Sequence, residues 1–363
     1  KDVDLDLFFL NTRKHYLPFE ETKVIYKKAN NIYQKDISTE VSKLGAIKAL
    51  LTNTSYNISR FYDKEIAQVL AALCTKEKYD IIHFENLFVA PYAQELRHIC
   101  KAKFVLRMHN VEFKIWDKLA DEESNFIKKQ YLKILSKQLK RFELKSLKWF
   151  HGFLPISKED EVWLRSMTTK KSQVLPTAMK IDEDLSFSSG TNFFHIGSME
   201  WQPNIKAVDW LLSKVWPLVI AQKPNYLLHL AGKGMNKKEY ENSSQKSVII
   251  HGEVASAREF MLQNNTMIIP LQSASGLRIK ALEAMLMKRP IISTSIGMSG
   301  VDFKNNINCM VADSAIEMAN AIVLLGENEA LQKKLAMNAH QYLKNNFAEE
   351  LVNQQLLQFY KEI

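Results

Sequence analysis

The sequence is poor in the residues that mark fibrous, disulfide-stapled or membrane-spanning chains. Its 363 residues include only 11 glycines and 9 prolines, which excludes a collagen-like or low-complexity chain. The three cysteines, Cys74, Cys100 and Cys309, are odd in number and far apart, so we expect a reducing, cytoplasmic compartment and no disulfide framework. No window approaches about 18 consecutive apolar residues, so no helix is predicted to span a bilayer.

The motifs of several common enzyme chemistries are also missing. The sequence has no Gly-x-Ser-x-Gly nucleophile elbow, no Walker loop and no His-Glu-x-x-His helix. Its cysteines and histidines do not have the spacing of a zinc site. The acidic triplet 182–184 lies in a polar stretch, and we interpret it as solvated surface. We therefore predict neither a bound metal nor a cofactor.

The charge of the chain is positive and unevenly spread. The net charge is +9, and residues 101–150 hold 13 Lys/Arg against 6 Asp/Glu. Such a local excess favours an anionic partner, for which phosphate, an acidic membrane surface and nucleic acid are candidates. A solvated helix face explains the excess equally well. We predict no nucleic-acid partner, because no recognised binding module accompanies the charge.

Short β-rich runs alternate with longer helical patterns from end to end. Continuous apolar strands separated by long helices are typical of parallel sheets covered on both faces. At about 100–200 residues per domain, the pattern predicts two doubly wound Rossmann-like α/β domains. The predicted strands are 5–10, 81–84, 104–108, 153–156, 174–175, 193–196, 226–230, 248–250, 267–269 and 291–293.

The domain boundary is predicted from the polar stretch 180–191, which ends in loop-forming residues and is interpreted as a linker. We predict a first domain over residues 1–182 and a second over 183–346. A closing helix within 347–363 is expected to pack back on the first domain.

The loops at the carboxyl ends of the strands are the candidate sites, because ligands of open α/β sheets bind there. Gly197 and Ser198 follow strand 193–196, where a glycine lets a ligand approach the backbone, and Asn204 is a candidate N-cap of the next helix. Lys233 lies between two glycines after strand 226–230, in a loop suited to a phosphate. Each loop taken alone is also explained as an ordinary turn.

The richest loop begins after strand 267–269. A small polar segment leads into a helix whose first turns carry Arg278, Lys280 and Glu283. A helix N-terminus already bears about half a positive charge and free N–H groups, so two further cations there favour a diphosphate ligand. Glu283, one turn further along, can accept hydrogen bonds from a ribose diol.

In the first half, polar side chains end two strands. His109 follows strand 104–108, where a histidine can donate to a substrate oxygen or stabilise developing charge. Glu85 ends strand 81–84 and is a candidate polar contact. Both are also explained as satisfied structural residues. Ser157, which precedes acidic residues, is interpreted as a helix cap.

In combination, these features resemble a family 4 retaining glycosyltransferase of the GT-B fold (glycosyltransferase group 1), over nearly the whole chain. The segments that carry the resemblance are 109–112 (HNVE), 193–203 (FFHIGSMEWQP), 276–285 (GLRIKALEAM) and 289–294 (RPIIST). The resemblance implies two domains facing across a cleft, the first on the acceptor side and the second binding a nucleotide diphosphate sugar. It also implies a further strand upstream of strand 5–10, which we expect to be missing from this sequence.

The resemblance assigns roles to the candidate residues. Glu283 matches the second glutamate of the family's Glu-x7-Glu pattern, and His109 would face the sugar from the other domain, so these two are predicted as catalytic. The first glutamate of the pattern falls at Ser275, a small residue that a subgroup of the family shares. Ser198 and Met199 stand where the family often has an Arg/Lys pair. The predicted donor-binding residues are Gly197, Ser198, Lys233, Ser275, Gly276, Leu277, Arg278, Lys280 and Glu283, and the acceptor-side candidates are Glu85 and Asn110.

The predicted function is transfer of a sugar from the nucleotide sugar to a glycan or lipid-linked acceptor, with retention of anomeric configuration, in polysaccharide biosynthesis. Two alternatives share the fold. A sugar-nucleotide epimerase would convert the donor without an acceptor, and a non-catalytic subunit would bind the donor without turnover.

The basic segment is used to predict the location of the protein in the cell. In the helical pattern 126–149, lysines line one side and an apolar stripe is expected to pack on the sheet. The stripe consists of Ile127, Tyr131, Ile134, Leu135, Leu139 and Phe142. A lysine face of this kind would dock on an anionic membrane, which predicts a cytoplasmic protein that is peripheral on the inner face of the membrane. A merely solvated face would instead predict a soluble acceptor.

Overall fold

The computed structural model describes residues 3–241, 246–273 and 276–363 and consists of two compact units. The first unit comprises Lys1–Val174 and Phe359–Ile363, and the second comprises Leu175–Gln358. The division falls earlier than the predicted boundary at 182/183, because the stretch predicted as a linker belongs to the second unit. Leu175 is fully buried, and Asp182 forms an ion pair with Arg258 at 2.5 Å.

The first unit alternates strands and helices. Several of its helices begin at the side-chain caps that their sequences provide: Asp63, Asn125 and Ser157 each accept hydrogen bonds from N–H groups of the following turn. In chain order its elements are β1 Asp6–Thr12, α1 Phe19–Ile25, β2 Asn31–Ile37, α2 Lys43–Leu51, α3 Tyr56–Ser59, α4 Lys64–Lys76, β3 Ile81–Glu85, α5 Ala90–Leu96, β4 Lys103–Met108, α6 Glu112–Glu122, α7 Phe126–Ser146, β5 Gly152–Pro155, α8 Lys158–Met167 and β6 Lys171–Ser172.

The strands of this unit form two parallel sheets. The larger has the order β3-β4-β5-β6, and β1 pairs with β2 in a separate ribbon. The strand predicted at 174–175 is wrong, because the last strand is β6, two residues long and earlier in the chain. β2 is absent from the predicted strands. Its charged Lys35 and Asp36 are exposed, and such residues are depleted in strands.

The second unit repeats the alternation. In chain order its elements are β7 Asn192–Ile196, α9 Gln202–Trp210, a π-helical turn Leu211–Val215, α10 Trp216–Gln222, β8 Leu227–Ala231, α11 Lys237–Glu241, β9 Val248–Gly252, α12 Ala257–Leu262, β10 Thr266–Ile269, α13 Ile279–Leu286, β11 Ile291–Ser293, β12 Met310–Val311, α14 Ala315–Gly326, α15 Glu329–Phe347 and α16 Glu349–Glu362, whose last residues belong to the first unit.

One six-stranded parallel sheet organises this unit. Its order is β12-β11-β10-β7-β8-β9, so the chain winds outward in both directions from β7 and β10. Side chains that alternate along β7 pack into two cores: Phe193 joins Trp216 in one, and Phe194 joins Phe260 in the other. The sheet is therefore covered on both faces, and the point where the strand order reverses lies between β7 and β10.

Helix α7 packs most of its predicted apolar stripe inward and leaves two residues of the stripe exposed. Leu135 and Leu139 are buried as expected, but Ile127 and Ile134 are 80% and 46% exposed. Polar side chains take part of the buried face, among them Glu143, which caps the backbone of α6. The helix thus buries several polar groups that make specific hydrogen bonds and leaves part of its apolar stripe uncovered.

The end of the chain is anchored by aromatic side chains. Phe359 is fully buried, and a Cβ atom added at Gly152 would come within 2.7 Å of its ring. The Tyr360 hydroxyl forms a hydrogen bond with His83 Nδ1. Among the helices of the described residues, none combines the length and apolar character needed to cross a bilayer.

Candidate functional site

Two glycines bring neighbouring strand-end loops into contact in the second unit. Gly197 follows β7 and Gly232 follows β8, and a Cβ added at Gly232 would lie 1.8 Å from the Gly197 carbonyl oxygen. Only glycine fits so close an approach. The Met199 N–H also donates to the Lys233 carbonyl at 2.8 Å, so the two loops form one surface at the carboxyl edge of the sheet.

Lys280 enters this surface from the first turn of α13. A Cβ at Gly197 would come within 2.7 Å of Lys280 Nζ, so the absence of a side chain at Gly197 makes room for the ammonium. Nζ donates to Asn204 Oδ1 at 3.1 Å, and Asn204 Nδ2 donates to the Ser198 carbonyl at 2.9 Å. Asn204 is not the expected N-cap, since α9 begins at Gln202 after Trp201. It positions Lys280 instead.

The environment of Lys280 disfavours its charged form. Burial, followed by the nearby Arg278, lowers the pKa of Lys280 to about 7, while Glu283 acts in the opposite direction. Burial likewise raises the pKa of the Glu283 carboxyl, and Lys280 partly offsets that rise. Binding of an anion next to Lys280 would therefore stabilise the charged form of the lysine and be electrostatically favourable.

Arg278 is the N-cap residue of α13 and is only 8% exposed. Its guanidinium carbon lies 5.5 Å from the centroid of the Trp201 ring, within the range of a cation–π contact. Burial lowers the pKa of Arg278, but a guanidinium stays protonated in proteins. Below pH 7, where Lys280 is mostly charged as well, two cations therefore lie close together at the positive end of the α13 dipole.

A buried histidine lies near Lys280. His195 is fully buried on β7, and its Nδ1 contacts the Ile268 carbonyl at 2.8 Å. Burial, with a smaller effect of Lys280, lowers the pKa of His195 to about 3, so the imidazole is neutral. With the proton on Nδ1, Nε2 is an acceptor, and it has no hydrogen-bond partner within the described part of the chain. His195 is assigned no role from the sequence and is included there within the segment 193–203 that carries the family resemblance.

The remaining predicted donor residues lie around the same edge. Lys233 is exposed, and its ammonium is 3.7 Å from Glu200. Gly276 adopts a φ of +79°. Leu277 packs against Gly300, where an added Cβ would come within 2.8 Å of the Leu277 Cα. Ser275 lies outside the described residues.

The candidates of the first unit form a second polar cluster. Glu85 is the last residue of β3 and His109 follows the adjacent strand β4, and His109 Nε2 is 2.9 Å from Glu85 Oε2. Glu85 also lies 3.3 Å from His83 Nε2 and 3.7 Å from Arg107. Burial acts to raise the pKa of Glu85, but the hydrogen bonds from His109 and His83 outweigh it and hold the pKa well below its usual range. Glu85 is therefore an ionised partner that orients His109.

Asn110 belongs to a buried acidic cluster rather than to the His109–Glu85 pair. Its side chain hydrogen-bonds the Glu112 carboxylate, and burial raises the pKa of Glu112. Glu143 accepts from the N–H groups of Glu112 and Phe113, and burial raises its pKa to about 8. Ser157 caps α8, as the sequence indicated. We attribute this cluster to helix capping. No group of three or more His, Cys, Asp or Glu within residues 3–241, 246–273 and 276–363 is arranged to hold a metal ion.

Comparison with known proteins finds similarity to glycosyltransferases in the second unit. Residues 190–328 match the family described as Glycosyl transferases group 1. An uncharacterized 44.6 kDa protein in the cps region of Klebsiella pneumoniae is 25% identical over 289 residues, which cover 75% of this chain and 71% of the relative.

Solved structures show the same fold. HepE of Anabaena, in complex with UDP, is similar with a TM-score of 0.63 and 13% identity, over 99% of this chain and 100% of HepE. A mutant of TarM from S. aureus, in complex with fondaparinux, α-GlcNAc-glycerol and UDP, is similar with a TM-score of 0.59 and 15% identity, over 80% of this chain and 58% of TarM.

These similarities confirm the predicted α/β fold with two doubly wound units, which is the GT-B fold. The prediction of a transferase is confirmed by the match of residues 190–328 to this glycosyltransferase family. Membership of family 4, retention of configuration and the kind of acceptor stay predictions.

Proposed function

We propose that the protein transfers a sugar from a UDP-sugar to a glycan or lipid-linked acceptor with retention of anomeric configuration. The proposal rests on two basic side chains, Arg278 and Lys280, which are shielded from water at the first turn of α13. Both lie in the segment that matches glycosyltransferases. This placement costs free energy that an anionic ligand offsets. HepE and TarM were both solved with UDP, which supports a uridine nucleotide.

In the proposed reaction, different residues stabilise the diphosphate, the ribose and the transferred sugar. The bond between the anomeric carbon and the diphosphate breaks, and its electron pair leaves with UDP. The acceptor oxygen bonds to the same face of the sugar and gives up its proton to the released diphosphate. Arg278, Lys280 and the backbone amides of Gly276 and Leu277 stabilise the charge on the diphosphate. Glu283 binds the ribose, and His109, held by Glu85, stabilises the sugar as positive charge develops on it.

The proposed reaction needs no metal or cofactor, because the cations and the backbone amides stabilise the charge of the diphosphate. The Klebsiella relative, named for the cps region, supports a role in polysaccharide biosynthesis. A lipid-linked acceptor would place the protein in the cytoplasm, peripheral on the membrane.

Turnover without an acceptor distinguishes the proposal from its alternatives. We expect slow hydrolysis of the correct UDP-sugar, followed by proton NMR, to release first the anomer that has the configuration of the donor. Appearance of an epimeric nucleotide sugar would identify an epimerase instead. Binding without any turnover, with or without acceptors, would identify a binding subunit.

Binding of the diphosphate should depend on pH through Lys280. Its pKa of about 7 in the empty site rises when an anion arrives, because the anion favours the charged form. UDP affinity is therefore full below pH 7 and falls as the pH rises above it, by up to about tenfold per unit. Calorimetry at alkaline pH in buffers of different ionisation enthalpy should show proton uptake. In Lys280→Arg, whose charge does not titrate, the uptake should vanish; equal uptake in both proteins would contradict the assignment.

Glu283→Gln should raise the dissociation constant of UDP about 10- to 100-fold, because hydrogen bonds to a charged group contribute about 1.5–3 kcal/mol. Calorimetry with UDP and with its 2′,3′-dideoxy analogue separates the ribose contact from other effects. The analogue should bind wild-type and variant protein equally. A variant that binds UDP as wild type does would remove Glu283 from the site.

A further inference from the structure

Helix α2 exposes an apolar stripe to solvent. Leu44, Ile47 and Leu51 are 79%, 54% and 83% exposed. Their spacing of three and four residues places them on one side of the helix. Val41, just before the helix, is 75% exposed. Large aliphatic side chains grouped in this way on a surface mark an interaction site.

The opposite side of α2 is fixed to the first unit, so the stripe cannot turn inward. Ala46 and Ala49 pack against Tyr56 and Leu135. The Tyr56 hydroxyl accepts from the Ser42 N–H at 2.6 Å, next to the start of the helix. These contacts hold the helix with its small residues inside and its large ones outside.

Basic residues flank the stripe on both sides. At about 100° per residue, Lys48 follows Leu44 around the helix and Lys43 precedes Ile47, so the stripe lies between two lysines. Both lysines are exposed, and the helix sequence KLGAIKALL contains no acidic residue. An apolar stripe bordered by lysines is the pattern of a helix that lies in a membrane interface.

The neighbouring helix α7 extends the surface. Gln138 Nε2 donates to the Ala49 carbonyl at 3.3 Å, and Arg141 donates to Asn53 at 3.1 Å, so this side of α7 borders α2. By helical spacing, the exposed Ile127 and Ile134 lie on that same side. The surface therefore combines exposed aliphatic residues of two helices with the exposed basic residues Lys43, Lys48 and Arg141.

We propose that this surface, formed by α2 and the adjoining side of α7, binds the interface of an anionic phospholipid membrane. The charge pattern favours a membrane over a second copy of the chain, because a symmetric pairing of the stripes would bring the flanking lysines against each other. The use of the surface rests on the proposed function, since it would bring the transferase to a lipid-linked acceptor. Its binding to lipid does not depend on activity.

Vesicle sedimentation tests the proposal with the full chain and no substrate. At low salt the protein should sediment with vesicles of phosphatidylcholine and phosphatidylglycerol and not with phosphatidylcholine alone. The triple variant Leu44→Ser, Ile47→Ser and Leu51→Ser should lower the partition coefficient about 100-fold. Lys43→Gln with Lys48→Gln should weaken binding and reduce its dependence on salt.

The matched control changes exposed aliphatic residues of α14. Ile316 and Leu324 are 66% and 49% exposed, and Ile316→Ser with Leu324→Ser should bind vesicles as wild type does. Leu51→Trp should gain fluorescence quenching by brominated lipid, which reports insertion. Thermal denaturation and UDP affinity should be unchanged in the stripe variants, so loss of lipid binding is separable from loss of the donor site.

Three results would overturn the proposal. If wild-type protein failed to bind anionic vesicles at low salt, the surface would not be a membrane-binding site. A stripe variant that binds as tightly as wild type would assign any binding to other residues. A wild-type dimer in analytical ultracentrifugation that the stripe variant dissociates would assign the surface to a second copy of the chain.

Discussion

Replacing Lys280 with methionine is expected to weaken UDP binding about 100-fold, or about 2.7 kcal/mol, because a charge-assisted contact to the diphosphate is lost. Uridine, which lacks phosphate, should bind the variant and the wild type equally. Methionine keeps an unbranched side chain of nearly the same length and removes its charge. Because the ammonium is partly desolvated beside Arg278, the empty variant should be as stable as wild type or slightly more so.

Calorimetry and thermal denaturation check both expectations for Lys280. The control is Lys206→Met, an exposed lysine of the same unit, which should leave UDP affinity unchanged. If Lys280→Met lost stability and kept its UDP affinity, the lysine would serve the fold through Asn204 and the β7 loop, not the ligand.

His109→Ala is expected to lower kcat about 100- to 1,000-fold while the dissociation constant of UDP stays the same. The proposed contact strengthens only as charge develops on the sugar, so its loss falls on the chemical step. Glu85→Gln should lower kcat by less, because the imidazole remains but loses the carboxylate 2.9 Å away that orients it.

Steady-state kinetics at saturating donor and acceptor measure the His109 effect. His98→Ala, at an exposed histidine of the same unit, is the matched control and should turn over at the wild-type rate. Wild-type turnover in His109→Ala would exclude a catalytic role. A parallel loss of UDP affinity would indicate that His109 acts through donor binding.

The sequence predicted the loops of the site better than the contacts within them. Gly197, Lys233 and Lys280 follow strands whose apolar runs are easy to recognise, and the parallel order places their loops side by side. The roles of Asn204 and His195 depend on which side chains meet across β7 and α13. Neither contact has a signal in local periodicity, since a polar residue in a first helical turn suggests a cap and a histidine in a strand suggests packing.

Local periodicity also did not predict all of the residues of helix α7 that are buried. Its apolar residues recur at helical spacing, which predicted the helix, but periodicity does not reveal how many polar groups a neighbouring helix requires. Glu143 caps α6 and is buried, and part of the apolar stripe, including Ile127, is exposed. The exposed aliphatic surface was therefore visible only once the packing of α7 and α2 was known.

The short strands could not be predicted for a simpler reason. β6 and β12 are two residues long, too short for an alternation of apolar and polar side chains to appear. Both lie at edges of their sheets, where fewer side chains need to be apolar. Neither strand contributes a candidate site residue, so these omissions do not affect the predicted site.

Calorimetry of wild-type protein with UDP and with uridine, in the presence of EDTA, tests the proposed donor site most directly. We propose that the edge formed by Gly197, Arg278, Lys280 and Glu283 binds a nucleoside diphosphate through its diphosphate, with no metal. UDP should then bind at least about 100-fold more tightly than uridine under these conditions. UDP that binds no better than uridine, or that binds only after a divalent metal is added, would contradict it.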